Sequence, residues 1–246
     1  MGSIRVGIGG WTFEPWRGVF FPEGLRQKDE QAYAIDHMTS IEINGTYYRL
    51  QSAKSFAAWA KAAPDGFQYA VKASRYCTNR KVLAEAEESI GKFVSQGLAE
   101  MGDRLGPIVW QFANTKKFDP DDFGAFLDLL PDTLEGMKLR HALEVRHESF
   151  VDPAFYALAK KAGAAIVYAD HPTYPKIEED TADFTYARLM QTREEIETGY
   201  TVAELDGWAE KTKGWAAKGD AFVYMISGAK VRAPAAAMAL IERVGR

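Results

Sequence analysis

Eight short apolar segments, rich in β-branched and aromatic residues, alternate along this chain with longer segments of helical periodicity. Turn-forming residues bound each of the eight, as is typical of strands. We predict strands at Ile4–Gly9, Ser40–Asn44, Gln68–Ala73, Ile108–Phe112, Ala142–Arg146, Ala165–Ala169, Phe184–Leu189 and Ala221–Ile226. Regular alternation of nearly uniformly apolar strands with helices indicates a parallel sheet that is covered on both faces.

Capping residues mark the starts of three predicted helices. Asp119-Pro120 and Asp152-Pro153 each place an acidic N-cap before a proline at the first helical position. Thr201-Val202-Ala203-Glu204 has the pattern of a capping box. Eight β/α units in a chain of 246 residues fit an α/β fold of one closed (β/α)8 TIM barrel, so we predict a single domain over residues 1–246. An open, doubly wound sheet is the alternative.

Composition limits the classes of function. The net charge is −4 and the pI is near 5.7, which argues against indiscriminate nucleic-acid binding. The one cysteine, Cys77, cannot form an internal disulfide. No apolar run is long enough to span a membrane, and no signal-peptide pattern opens the sequence. These features predict a soluble, cytoplasmic protein with no membrane association.

Charged residues occur near the C-terminal ends of three predicted strands. Each begins a pair of polar residues spaced two apart, so each pair shares one face of its strand: Glu42/Asn44, Lys72/Ser74 and Glu144/Arg146. This end of a barrel carries the active site, and burying an unpaired ion costs on the order of several kcal/mol. We therefore predict acid–base catalysis by Glu42 and Glu144, with Lys72 and Arg146 tuning them or binding an anion. A purely structural ion network is the alternative.

Further polar and aromatic residues follow other predicted strands. Asp170 joins Glu42, Glu144 and Lys72 as a catalytic candidate. The ligand-binding candidates are Trp11, Asn44, Tyr47, Tyr48, Arg49, Ser74, Arg75, Gln111, Arg146, His147, Arg188 and Lys230. Cations concentrated at one end of an acidic protein predict a small anionic ligand. Arg188 and the segment 227–230 lie where many barrels hold phosphate.

Motifs for cofactors are missing from the sequence. Gly7-Ile8-Gly9-Gly10 lacks the third glycine of a dinucleotide-binding loop, and there is neither a P-loop nor a Gly-x-Ser-x-Gly elbow. We predict no cofactor and no metal. One alternative stays open, because Glu144, His147, Asp170 and His171 offer the donor types that a divalent ion takes.

Several motifs, in order along the chain, resemble the YecE-like family, catalogued as domain of unknown function 72. They are Gly9-Gly10-Trp11, Trp16-Arg17-Gly18, Glu42-Ile43-Asn44, Tyr47-Tyr48-Arg49, Lys72-Ala73-Ser74-Arg75, Gly106-Pro107-Ile108-Val109-Trp110-Gln111-Phe112 and Glu144-Val145-Arg146-His147-Glu148-Ser149-Phe150. The resemblance implies a TIM barrel and little about activity. Two positions depart from the pattern of many relatives: Asn79, where they carry histidine after threonine, and Ser227-Gly228, where they carry paired asparagines.

Three functions remain open from the sequence. The first is a hydrolase or lyase that acts on a phosphorylated or carbohydrate-like anion through carboxylate acid–base chemistry. The second is a nucleic-acid binding or repair protein, by fold analogy with apurinic endonucleases. The third is a non-catalytic barrel that binds a ligand or serves as a scaffold. Whether the protein is an enzyme, and its oligomeric state, are left undecided at this stage.

Overall fold

The computed structural model describes residues 2–245, in which eight parallel strands follow one another around a barrel. The strands are β1 (Ile4–Gly9), β2 (Ser40–Ile43), β3 (Gln68–Lys72), β4 (Leu105–Gln111), β5 (His141–Glu144), β6 (Ala165–Ile166 and Tyr168–Asp170), β7 (Phe184–Leu189) and β8 (Asp220–Met225). Each strand pairs with the next in chain order, and β8 pairs with β1. The predicted TIM-barrel fold is confirmed, and the open doubly wound alternative is wrong.

The sixth strand closes the barrel by bonding to a different neighbour along each half. Ile166 pairs with Leu143 of β5, whereas Tyr168 pairs with Ala187 of β7. Between them, the Val167 amide donates to the Leu143 carbonyl over 3.0 Å. A sheet that is nearly closed in this way leaves little strand edge exposed to pairing with another chain.

The helices lie between the strands in sequence, with one exception. They are α1 (Glu30–His37), α2 (Gly45–Tyr48), α3 (Ala53–Ala62), α4 (Arg75–Thr78), α5 (Glu87–Val94), α6 (Pro120–Asp128), α7 (Pro153–Lys161), α8 (Val202–Ala216) and α9 (Ala233–Val244). Residues 171–183, between β6 and β7, form neither helix nor strand, which departs from the expected alternation. Of the helices within residues 2–245, none is long and apolar enough to cross a membrane.

Short 3₁₀ helices and one hairpin complete the connections. The 3₁₀ helices are Glu14–Trp16, Gln27–Asp29, Leu83–Glu85, Leu98–Arg104, Glu148–Phe150 and Lys230–Arg232, and the hairpin pairs Thr133–Leu134 with Met137–Lys138. The predicted caps are confirmed: Asp119 and Asp152 accept backbone N–H bonds at the starts of α6 and α7. The capping box formed by Thr201 and Glu204 opens α8.

Some predicted strand ends lie one or two residues too far along the chain. Asn44 was expected in the second strand but adopts helical dihedrals, φ −93° and ψ −16°, at the start of α2. Likewise, Arg146 lies two residues beyond the end of β5. The apolar pattern runs past the last ladder hydrogen bond in both places, so pattern alone overextends the strand.

Apolar side chains form two cores separated by the barrel wall. The larger core lies between strands and helices, and the smaller one, which includes Val109, Tyr186 and Tyr224, fills the barrel interior. The two tyrosine rings lie 5.1 Å apart. The interior of the barrel is crowded at β1, where a Cβ on Gly7 would lie 1.9 Å from the Ser40 carbonyl oxygen. Glycine is therefore required there.

Phe123 of α6 is the centre of an aromatic cluster in the outer core. Its side chain is fully buried, and its ring lies 5.0–6.1 Å from the rings of Phe112, Phe118, Phe126, Phe150 and Phe155. Rings at such distances and edge-on angles pack favourably beyond their buried area. The cluster holds α6 and α7 against β4.

We expect Phe123→Ala to lower the free energy of unfolding by about 3–5 kcal/mol, because it removes buried area and leaves a cavity. Urea denaturation followed by circular dichroism measures the change. Asp128→Ala, at an exposed position of the same helix, is the control and should change stability by about 0.5 kcal/mol or less. Equal effects of the two substitutions would contradict the packing described.

Candidate functional site

Arg188 of β7 joins two buried carboxylates across the upper barrel interior. Its Nη2 donates to Glu42 Oε1 of β2 over 2.9 Å, and its Nη1 donates to Glu144 Oε2 of β5. Glu42 and Glu144 are completely buried, and Arg188 is 2% exposed. Side chains alternate along each strand, so these three residues face inward while Ile41, Ile43 and Leu143 pack outward.

The remaining carboxylate oxygens also accept hydrogen bonds. Glu42 Oε2 accepts from the Tyr186 hydroxyl over 2.6 Å. Glu144 Oε1 accepts from Arg146 Nε over 2.7 Å. Gln111 Oε1 accepts from Arg146 Nη2 over 2.7 Å, which fixes the second guanidinium beside the first. Every carboxylate oxygen in this layer therefore has a donor.

The ion network shifts the pKa values of its members. Burial alone would raise the pKa of Glu144, but Arg188 and Arg146 outweigh burial and hold it below its usual value. Burial would lower the pKa of Arg188, but Glu144 and Glu42 raise it. Burial and the nearby Glu42 carboxylate raise the pKa of Tyr186 well above its usual value. Glu144 is therefore ionised, Arg188 charged and Tyr186 neutral at physiological pH.

Lys72, at the end of β3, is the cation that this network does not pair. Only 8% of the residue is exposed. Within residues 2–245 its Nζ has neither a hydrogen bond nor an ion pair with a carboxylate, and it lies 4.4 Å from the centre of the Tyr47 ring. Burial, and secondarily Arg188, lower the pKa of Lys72 to about 8.

A cavity of about 260 Å³ opens directly above this layer, at the C-terminal ends of the strands. Six of the predicted site residues line it: Asn44, Lys72, Gln111, Arg146, Arg188 and Lys230. Lys230 lies with its Nζ 4.1 Å from the centre of the Phe13 ring, and burial lowers its pKa. The cavity is therefore polar and cationic, with an aromatic edge.

Other predicted site residues lie elsewhere. Trp11 packs against Trp59 of α3, with ring centres 5.5 Å apart, because the chain turns away at Gly10, whose φ is +73°. Asp170 shares the outward face of β6 with Tyr168, and it accepts hydrogen bonds from Lys176 over 2.7 Å and Gln191 over 2.8 Å. Neither residue lines the cavity.

The rest of the predicted residues serve as caps or are exposed beside the mouth. The Ser74 hydroxyl accepts from the Tyr76 amide at the start of α4, and His147 Nδ1 accepts from the Ser149 amide. Tyr48, Arg49 and Arg75 are exposed. All five are outside the cavity lining.

The alternative metal site does not assemble. In the described part of the chain, no three His, Cys, Asp or Glu side chains are grouped as metal ligands. Of the four candidates, Glu144 is bound by two arginines and Asp170 by Lys176. His171 stacks on Tyr174 with ring centres 3.7 Å apart, and Tyr174 in turn lies under Arg146.

Four residues of the cavity wall were not among the predicted site residues: Gly9, Trp16, Met225 and Ile226. A fifth, Ser227, belongs to the segment that was predicted to hold phosphate. Trp16 is buried, and its Nε1 donates to the Lys230 carbonyl over 2.8 Å, which fixes the segment after β8. Ser227 has a φ of +64°. The available signals were Gly9 at the end of β1 and Trp16 in the motif Trp16-Arg17-Gly18, whereas Met225 and Ile226 carry none.

Comparison with known proteins identifies relatives of the chain. The family described as "Protein of unknown function DUF72" matches residues 5–246. The UPF0759 protein YunF of Bacillus subtilis is 27% identical over 158 residues, which are 62% of this chain and 54% of that protein. The chain thus aligns with about half the length of that relative.

Solved structures share the fold. A DUF72 family protein from Thermotoga maritima superposes with a TM-score of 0.78 at 22% identity, over 98% of both chains. One from Enterococcus faecalis gives 0.78 at 16% identity, over 98% of this chain and 95% of that one. A protein named SacUVDE gives 0.60 at 8% identity, over 99% of both chains.

We expect Arg188→Met to lower the free energy of unfolding by about 3–5 kcal/mol, because it leaves Glu42 and Glu144 buried without their shared cation. Combining it with Glu42→Gln and Glu144→Gln should restore most of the loss, since no unpaired carboxylate then remains. Urea denaturation of the single and triple variants at neutral pH measures both effects. A triple variant less stable than Arg188→Met would contradict this account.

The stability deficit of Arg188→Met should shrink as the pH falls. In the wild-type protein the lowered pKa of Glu144 stabilises the fold above the ordinary glutamate value of 4.5, and this contribution is lost as the pH falls through the folded pKa. Without Arg188 the carboxylate pKa rises, so acid neutralises the buried charge in the variant. A deficit that does not change between neutral and acidic pH would show that Arg188 does not pair these carboxylates.

Proposed function

The chain belongs to the DUF72 family of proteins of unknown function, and from that premise we propose that it is an enzyme acting on a small anionic ligand at the barrel mouth. The single observation that carries the proposal is the excess of cations around the cavity. Lys72, Arg146, Arg188 and Lys230 line it, while only Glu42 and Glu144 lie beneath it as partners. Two positive charges thus remain without a carboxylate.

A buried excess of positive charge has a cost that a purely structural layer would avoid. Apolar side chains of similar volume fill a barrel with less desolvation penalty. An anion entering the cavity would offset that penalty, and the low dielectric of the surroundings would strengthen its attraction. The excess of positive charge therefore favours ligand binding over the non-catalytic scaffold.

We assign the neutral amine of Lys72 as the reactive group of the site. Glu42 and Glu144 were predicted as the acid–base pair, but their oxygens accept from arginine and tyrosine donors, which suits carboxylates that position cations. Lys72 has no such partner and a pKa of about 8, so part of it is unprotonated at neutral pH. The reaction class stays that of a hydrolase or lyase.

The polar lining favours a ligand with hydroxyl or phosphate groups. Asn44 and Gln111 supply amides beside the cations, and the Phe13 and Trp16 rings lie against Lys230. Amides and aromatic faces are the groups that bind sugar hydroxyls and ring C–H faces, while guanidinium and ammonium groups bind phosphate. A phosphorylated or carbohydrate-like anion matches this set.

Calorimetric titration with glucose 6-phosphate, inorganic phosphate and glucose tests the proposal. We expect the two anions to bind and neutral glucose not to bind. Arg146→Gln and Lys230→Gln should each weaken binding by about tenfold or more, the equivalent of one lost charged contact.

Lys117→Gln is the matched control for this titration, because it removes an exposed loop lysine outside the cavity. Binding should be unchanged in that variant. Equal binding of glucose and glucose 6-phosphate, or equal losses in all three variants, would refute anion binding at this mouth.

Nucleic-acid binding is the second candidate, and exposed aromatic residues beside the mouth favour it. Tyr48 and Tyr76 are 64% and 62% exposed, and the Arg75 guanidinium lies 5.3 Å from the centre of the Tyr76 ring. A neighbouring groove is lined by the cations Arg80 and Lys117, among others. Exposed tyrosines with arginines suit stacking of unpaired bases. The likeness to SacUVDE is a likeness of fold.

Fluorescence anisotropy with a labelled single-stranded oligonucleotide tests this candidate. Binding should weaken steeply with added salt, and Tyr48→Ala or Tyr76→Ala should each cost about 1–3 kcal/mol. Tyr156→Ala, on α7, is the control. Affinity that is absent, or that is insensitive to salt and to both substitutions, would exclude the nucleic-acid function.

A further inference from the structure

The amine of Lys72 is isolated among groups that already have partners. Both carboxylates near it are held by Arg188 and Arg146, so neither forms an ion pair with its Nζ. Its Nζ lies against the face of the Tyr47 ring, 4.4 Å from the ring centre. The lysine nevertheless lines the cavity. Lys72 is therefore among the residues that a ligand in the mouth would contact.

A lysine kept for stability would have a different environment. Buried lysines are almost always paired with a carboxylate. The same layer holds two carboxylates, Glu42 and Glu144, that could have paired with Lys72. Here the second arginine, Arg146, takes the free oxygen of Glu144 instead. The resulting amine is desolvated and next to other cations, which is the environment that activates lysine as a nucleophile.

We propose that Lys72 Nζ forms an imine with the carbonyl carbon of a small oxyanion, such as a phosphorylated aldehyde or a 2-oxo acid. This proposal rests on the proposed function and narrows it to a lyase-type reaction on a carbonyl substrate. Arg146 and Lys230, on the same cavity wall, are the groups that hold the phosphate or carboxylate.

The reaction needs no oxidant or further reactant. The lone pair of the neutral amine attacks the carbonyl carbon, a C–N bond forms, and the C=O π electrons move to oxygen. A proton passes from nitrogen to that oxygen and gives a carbinolamine. The nitrogen lone pair then forms the C=N bond as the C–O bond breaks, the remaining N–H proton goes to the leaving oxygen, and water and the imine result. Once protonated, the imine draws electrons from the adjacent bond of the substrate, which is how such lysines assist bond cleavage.

The burial of Lys72 supports this chemistry. Burial and the nearby Arg188 lower its pKa to about 8, so the nucleophilic form is present at neutral pH without a separate base. Four charged groups face the amine across the barrel, and they are Glu42, Glu144, Arg146 and Arg188.

Reductive trapping on the full-length protein tests the proposal. The protein is incubated with sodium cyanoborohydride and either glycolaldehyde phosphate or pyruvate, and the modified lysines are identified by peptide mass spectrometry. We expect a reduced adduct on Lys72 at probe concentrations about tenfold below those that label exposed lysines such as Lys117. Uncharged glycolaldehyde should label Lys72 no better than Lys117, and inorganic phosphate should compete with the phosphorylated probe.

Two variants separate chemistry from folding. Lys72→Arg keeps the charge but has no primary amine, so it should bind phosphate in calorimetry and give no adduct at this position. Lys160→Met, at an exposed position of α7, should leave labelling of Lys72 unchanged. The proposal is wrong if neither charged probe labels Lys72 in preference to exposed lysines. Phosphate binding without trapping would overturn the imine alone, whereas loss of both would overturn the proposed function as well.

Discussion

The contact of Arg188 with Glu42 and Glu144 determines how the mouth of this barrel is organised. Three strands that are distant in sequence supply one buried ion network, and its geometry fixes which polar atoms have partners. Once both carboxylates bind arginine, Lys72 has no counter-ion. Buried charges are tolerated only as a set. The positive surplus at the cavity is thus a property of the network and of no single residue in it.

The interior below the network explains why charge can be held there. Tyr186 and Tyr224 fill the barrel, and glycine at position 7 allows β1 and β2 to approach closely. This packing excludes water from beneath the layer, so the electrostatic interactions above it act at low dielectric. Tyr186 and Tyr224 therefore stabilise the fold and also strengthen the ion pairs above them, because they keep the local dielectric low.

The local sequence pattern was sufficient to predict much of the fold. The side-chain contacts between distant strands of the barrel could not be predicted from it. The alternation of Glu42, Lys72 and Glu144 with apolar neighbours was enough to predict that they lie at one end of the barrel. It could not predict that Arg188 would join the two carboxylates, because contacts between β2, β5 and β7 depend on the closure of the whole sheet. For Trp16 the family motif Trp16-Arg17-Gly18 was the one signal, and it did not identify a cavity residue, since a buried tryptophan looks the same in any core. Asp170 was misplaced because β6 presents it on the outward face.

The segment 171–183 replaces a helix with irregular chain, and it lies beside the mouth through Tyr174, which packs under Arg146. Loops of this kind change length and sequence more readily than the elements that they connect. Natural variation can therefore alter the chain that supports Arg146 while the charged layer stays constant. Over evolutionary time, the same set of buried charges can therefore bind different ligands. The residues that select the ligand would lie in a segment without helix or strand.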